Sequence, residues 1–139
     1  VKVLFDTNVL LDLLLARSPH VETAARLLSS VDTGRIEGVV SATTVTTIHY
    51  IAAKSVGQKQ ARKLLRDLLA LLQVAPIDGD VLAKALALNF TDFEDAVLHE
   101  AARASGAAAI VTRNVKDFTR ATIPVFSPRE LLAVITASE

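Results

Sequence analysis

Val1-Lys2-Val3-Leu4-Phe5-Asp6-Thr7-Asn8 is a short apolar run that stops abruptly at three polar residues. A run this short and partly β-branched predicts a buried strand over 1–5, ending in a turn. Leu10, Leu13 and Leu14 follow at helical spacing, so the turn leads into a helix. The same alternation then repeats. Val21, Ala24, Ala25, Leu28 and Val31 trace a 3.6-residue stripe, expected to start with Ser18 as cap and Pro19 in the first turn, and to close near Gly34. A second strand is predicted over 38–42, a helix over 43–54 ending at Gly57, and a strong helix over 58–72. A third strand is expected over 74–77, with Asp78 capping a helix that runs to about residue 88.

Thr91-Asp92-Phe93-Glu94 reads as a capping box, with Thr91 as cap and Glu94 reaching back to the cap amide. Its helix is expected to run to Ser105 and to stop at Gly106 in a left-handed conformation. Residues 108–112 predict a fourth strand and 125–126 a fifth. Ser127-Pro128-Arg129-Glu130 is a second capping box, opening a final helix through Ile135. Strands alternating with helices imply the α/β class: a three-layer α/β/α sandwich on a mainly parallel sheet of about five strands. At 139 residues, a single domain over 1–139 is expected.

Composition narrows the chemistry. Half of the residues (51%) are hydrophobic and only 4% aromatic, so the core must be aliphatic. Cysteine is absent, which excludes disulfides, thiolate zinc sites and cysteine nucleophiles, and suits a reducing cytoplasm. No apolar run approaches the roughly 18–20 residues of a membrane span, and no signal peptide is visible at the start. Fifteen basic residues balance fifteen acidic ones. Bulk charge therefore gives no grip on nucleic acid, and phosphate binding must be local or carried by a cation.

Ligands of open parallel sheets bind beyond the carboxyl ends of the strands. Asp6 directly follows the first strand, and Asp117 lies in the loop after the fourth. Asp92 and Asp95, three apart at the start of one helix, share a face. Each alone has an ordinary explanation as a turn, a dipole partner or a solvated face. Together they would make an all-oxygen negative pocket, suited to a hard divalent cation that activates water and neutralises charge on a phosphodiester.

The order of these segments carries more. Strand–Asp6-Thr7-Asn8, then Thr91-Asp92-Phe93-Glu94-Asp95-Ala96, then Val111-Thr112-Arg113-Asn114 leading to Asp117-Phe118 resembles the PIN-domain family, and within it the single-domain toxins of the VapC type. The resemblance runs from Val3 to the terminal helix. It implies a ribonuclease that cleaves single-stranded RNA with Mg²⁺ or Mn²⁺, pairs with a small antitoxin protein and forms a homodimer. By that resemblance Asp6, Asp95 and Asp117 match the metal-binding acids and Asp92 a frequent extra one. Thr112 and Asn114 match the polar residues that support them, and Thr7 and Asn8 belong to the same supporting set. One departure stands out: Thr47 falls where many members carry a Glu, and a hydroxyl can hold a metal-bound water but supplies no charge.

Arg113, Lys116 and Arg120 flank the acid loop and are expected to meet RNA phosphates. Lys59, Arg62, Lys63 and Arg66 form a helical stripe, read first as a solvated face. His20, His49 and His99 lack ligand spacing; His99 is read mainly as a packing residue. A phosphorylation receiver would need paired acids after the first strand and a late Lys-Pro, and a haloacid-dehalogenase-type phosphatase an Asp where Asn8 stands. The alternative that Thr47 keeps open is a PIN-like module that binds RNA or protein with little or no cleavage.

Overall fold

The alternation of side chains along the first strand sets the layers. In the computed structural model, which describes residues 1–138, β1 (Lys2–Phe5) sends Val3 and Phe5 to one face and Leu4 to the other. Its neighbours do likewise. β2 (Glu37–Ser41) splits Val40 from Val39, and β4 (Ala109–Val111) splits Val111 from Ile110. β3 (Gln73–Ala75) and β5 (Val125–Phe126) complete a five-stranded sheet in the order β3-β2-β1-β4-β5, with every pairing parallel. Strands apolar on both faces need cover on both.

Val3, Phe5, Val40 and Val111 pack under α1 (Thr7–Leu14), α2 (Val21–Asp32), α3 (Ala42–Val56), α4 (Gln58–Leu71) and α7 (Pro128–Ala137). The opposite face, through Leu4, Val39 and Ile110, takes Leu98, Ala101 and Ala102 of α6 (Phe93–Ala104). Ala85 of α5 (Gly79–Ala87) packs against Ala96 and Val97 of α6. The result is the three-layer α/β/α sandwich that the sequence predicts.

Gly38 shows how tightly the first layer closes. A methyl group there would run into the buried Leu72 side chain and press on both methyls of Val31. Gly38→Ala is expected to destabilise the protein by about 1–2 kcal/mol through overpacking, read as a lower urea midpoint at unchanged slope.

Several local expectations shift. Ser18-Pro19 does not open α2; the amides of His20 and Val21 both donate to the Arg17 carbonyl, so the chain turns there first and His20 takes the cap position. Ser41 ends β2 and caps α3 by accepting from the Thr43 amide, so Ala42 is helical rather than extended. β3 lies one residue earlier than predicted and is shorter. The capping box at 91–94 does not form: the Asp92 carboxylate accepts from the Asp95 amide at 3.0 Å, moving the cap one residue on. Glu94 then sits one position too early to return to it. Asp78 and the Ser127–Glu130 box cap α5 and α7 as expected.

Candidate active site

The carboxyl ends of β1 and β4 are stitched together by the side chains of the first and third sequence motifs. Asp6, almost wholly buried, caps α1. Its Oδ1 accepts from the Thr7 amide at 2.7 Å, and its Oδ2 accepts from the Thr112 hydroxyl at 2.7 Å and Asn8 Nδ2 at 3.2 Å. Asn8 Oδ1 in turn accepts from the Arg113 amide at 3.1 Å, and Thr112 Oγ1 from the Asn114 amide at 3.0 Å. Asn8 and Thr112 thus hold Asp6 in one orientation through their side chains and Thr7 through its amide, while Asn114 contributes its backbone to Thr112. The Asp117 amide donates to the Asn114 carbonyl at 2.9 Å, inside a 3₁₀ turn over Val115–Phe118.

α6 delivers the second acid to this rim. Because Asp92 caps the helix, Asp95 is fixed at its third position and Ala96 to Ala102 are buried behind it. Asp92, Asp95 and Asp117 wall an open cleft of about 320 Å³ together with Phe90, Lys116 and Arg120. The acids sense one another. Burial pushes the Asp95 carboxyl up to about 7, and repulsion from Asp92, Asp6, Asp117 and Glu94 adds to the rise. Burial also raises Asp6, against the bonds it accepts from Thr112, Thr7 and Asn8, and Asp117 adds to that rise.

Such a set is costly as bare anions and favours a nearby cation. Its donors are all oxygen, the chemistry that hard divalent cations prefer. Among the described residues, no three His, Cys, Asp or Glu side chains close up as direct ligands would.

Two expected site residues lie elsewhere. Thr47 donates its hydroxyl to the Thr43 carbonyl at 3.1 Å, within its own helix. The α3 hydroxyl that reaches the first motif is the buried Thr44, 3.1 Å from Thr7 Oγ1 and nearly one turn closer to the sheet. Arg113 turns away from the acid cleft. Its Nε and Nη2 donate to the two oxygens of Asp12, at 2.6 and 3.2 Å, and Asp12 is 1% exposed. Lys116 and Arg120 do line the cleft. Asp12 escaped sequence reasoning, although a lone acid inside Val9-Leu10-Leu11-Asp12-Leu13-Leu14 was the available signal.

His99 is fully buried on α6, its ring tilted against Phe90 with centroids 5.2 Å apart. Its Nε2 accepts from the Thr122 amide at 3.0 Å, which leaves Nδ1–H to donate to Glu100 at 2.8 Å. The imidazole thereby ties the loop after the 3₁₀ turn to α6 and backs the cleft's Phe90 wall. The α4 stripe of Lys59, Arg62, Lys63 and Arg66 is solvent-exposed, with Lys63 paired to Asp67.

The PIN domain family matches residues 2–116, which include β1, β4 and three of the four acids, Asp6, Asp92 and Asp95, and end one residue before Asp117. The chain belongs to the PIN-domain family. PIN domains are a nuclease family, so a hydrolase is the class of enzyme to which this fold and site correspond. Among solved structures, the chain is similar to VapBC2 of Rickettsia felis, bound to a promoter DNA fragment, at 17% identity and a TM-score of 0.71, covering 91% of this chain and 98% of that one. A toxin–antitoxin complex from Klebsiella pneumoniae is 28% identical, with a TM-score of 0.69 and coverage of 91% and 97%. VapC20 of Mycobacterium tuberculosis, a toxin that cleaves the sarcin–ricin loop, is 18% identical, with a TM-score of 0.64 and coverage of 78% and 86%. No curated protein matches the sequence. Among the described residues, no helix of this PIN domain is long and apolar enough to cross a membrane.

Proposed function

We propose that this PIN domain is a cytoplasmic endoribonuclease that cleaves single-stranded RNA with Mg²⁺ or Mn²⁺, as the toxin of a toxin–antitoxin pair. The observation that supports the reading most is that Asp92, Asp95 and Asp117 wall one cleft, beside the strand ends where Thr112 holds Asp6. A cation bound among them would activate water and neutralise charge developing on the phosphodiester. The protein's own part is positioning. Thr112, Asn8 and the Thr7 amide fix Asp6, and Asp92 fixes Asp95 through the helix cap. Lys116 and Arg120 on the cleft wall are placed to hold phosphates without reading bases.

The structural likeness to toxin–antitoxin complexes supports a small antitoxin partner. Residues 1–139 act as one domain in this reading, and exposed Tyr50, Val56 and Leu69 on α3 and α4 offer apolar area for a second copy in a homodimer. The rival reading, an RNA- or protein-binding module without cleavage, draws on Thr47 in place of an acid and on the absence of a closed ligand cluster among the described residues.

Incubating the protein with mixed-sequence single-stranded RNA separates the two. Cleavage that needs Mg²⁺ or Mn²⁺ and stops with EDTA is expected. Saturating Mg²⁺ is expected to raise the melting temperature by about 5–10 °C and to have no such effect on Asp6→Asn. RNA that is bound but left intact at every metal concentration would establish the binding module instead.

A further inference from the structure

A second cleft, of about 240 Å³, opens beside the carboxyl ends of β4 and β5, and Arg113 lines it. It lies on the α1–α2–α7 side of the sheet, whereas the acid cleft lies on the α6 side. Its other walls include His20 and Thr23 from the start of α2, and Ser127 and Arg129 from the start of α7. We propose that this cleft is a phosphate subsite that grips the RNA backbone at a fixed distance from the scissile bond. The proposal rests on the nuclease reading above.

Two observations point to an anion. The first is Arg113. Asp12 engages one edge of its guanidinium and the Asn8 side chain accepts from its amide, so backbone and side chain are both held. That leaves Nη1 and the second hydrogen of Nη2 as a preset pair of donors, the geometry that matches phosphate oxygens. A guanidinium held this way loses little freedom on binding.

The second is Arg129, which stands in the first turn of the ten-residue α7. The positive end of a helix favours acids, so a cation there is locally unfavourable. Here it joins the helix end, Arg113 and His20 around one cavity. Two acids beside these cations are already committed. Asp12 is buried against Arg113, and the Glu130 carboxylate accepts from the Ser127 amide at 2.8 Å. Two guanidiniums gathered at a helix end, at a cost to the helix, are relieved by an anion between them. The cavity is smaller than the usual small-molecule pocket, which suits one backbone phosphate rather than a free nucleotide.

The test uses Arg129→Gln and His20→Ala, leaving Arg113 intact because its loss would strip Asp12 of its partner. Binding of a fluorescent single-stranded RNA is measured by anisotropy in the non-cleaving Asp6→Asn background across a KCl series, with Lys84→Gln on α5 as a charge-loss control. Arg129→Gln is expected to weaken binding about tenfold and to flatten the logarithmic salt slope by about 0.7, the loss of one phosphate contact. In the cleaving protein the same change is expected to raise KM while kcat stays within about twofold. Unchanged affinity and slope in both variants would overturn the subsite, whether the cleft then proves empty or takes an acidic peptide. A wild-type chain that cuts no RNA sinks the nuclease reading alone, because the anisotropy arm still reads the cleft.

Discussion

Asp95→Asn is expected to abolish cleavage and, in the same molecule, to raise the melting temperature measured without metal. Both effects come from one cause. The Asp95 carboxyl is pushed up to about 7 by burial and then by Asp92, Asp6, Asp117 and Glu94, so its ionised form is a liability in the metal-free fold. Asn is nearly isosteric and leaves the amide that Asp92 caps in place. Removing the charge is expected to stabilise the metal-free protein at pH 8 by about 1–2 kcal/mol, allowing for solvent screening at a half-exposed group. Activity is expected to fall by more than about 100-fold, since even outer-shell partners of metal ligands cost 10–100-fold when changed.

The sign of the pH dependence follows from the same shift. An unfolded Asp95 loses its proton near 3.8, whereas the folded one keeps it to about 7. Between those values the native state binds more protons, so metal-free stability falls as pH rises through the window and levels off above it. Asp6, raised by burial, contributes with the same sign. In Asp95→Asn the slope is expected to flatten, and Mg²⁺ is expected to oppose it in wild type by favouring the ionised acids. Thermal melts from pH 4 to 8, with and without Mg²⁺, give both comparisons. Equal slopes in mutant and wild type would mean that burial and the neighbouring acids do not raise the Asp95 carboxyl.

The layers of this fold were legible because periodicity was. Val3, Leu4 and Phe5 alternate between two buried faces, and α2 buries Ala24 and Leu28 of its expected stripe, although Ala25 is exposed and Leu27 is buried instead. Asp6 and Thr112 were legible because each stands where a strand ends, and parallel topology gathers strand ends on one rim. What escaped was decided by contact rather than by pattern. Thr91 and Asp92 are both good caps, and only the backbone path shows that Asp92 takes the Asp95 amide. Thr44 and Thr47 lie on one helix, and only the packing of α3 beside α1 shows which reaches Thr7. Arg113 sits inside the third motif, but its direction is set by Asp12, roughly a hundred residues earlier.

That pairing carries the largest expected loss of stability. Arg113→Met is expected to destabilise the protein by about 3–5 kcal/mol, the usual cost of stranding one member of a buried ion pair. Asp12 is 1% exposed, and its remaining cation, Arg17, stands at 4.0 Å. Asp12→Leu is expected to cost less, because the Arg113 side chain is 30% exposed and its guanidinium can turn to water. Leucine at position 12 also extends the apolar face of α1. The double change Asp12→Leu with Arg113→Met removes the stranded charge altogether and is expected to recover most of the loss. Urea denaturation of the three variants forms a double-mutant cycle, with a coupling energy expected at about 2–3 kcal/mol. If the double variant is as unstable as the sum of the singles, the pair is not coupled, and Asp12 does not hold Arg113 in place. RNA binding by the double variant then separates stability from function: a chain that folds well yet binds RNA weakly has kept its architecture and lost only the oriented guanidinium.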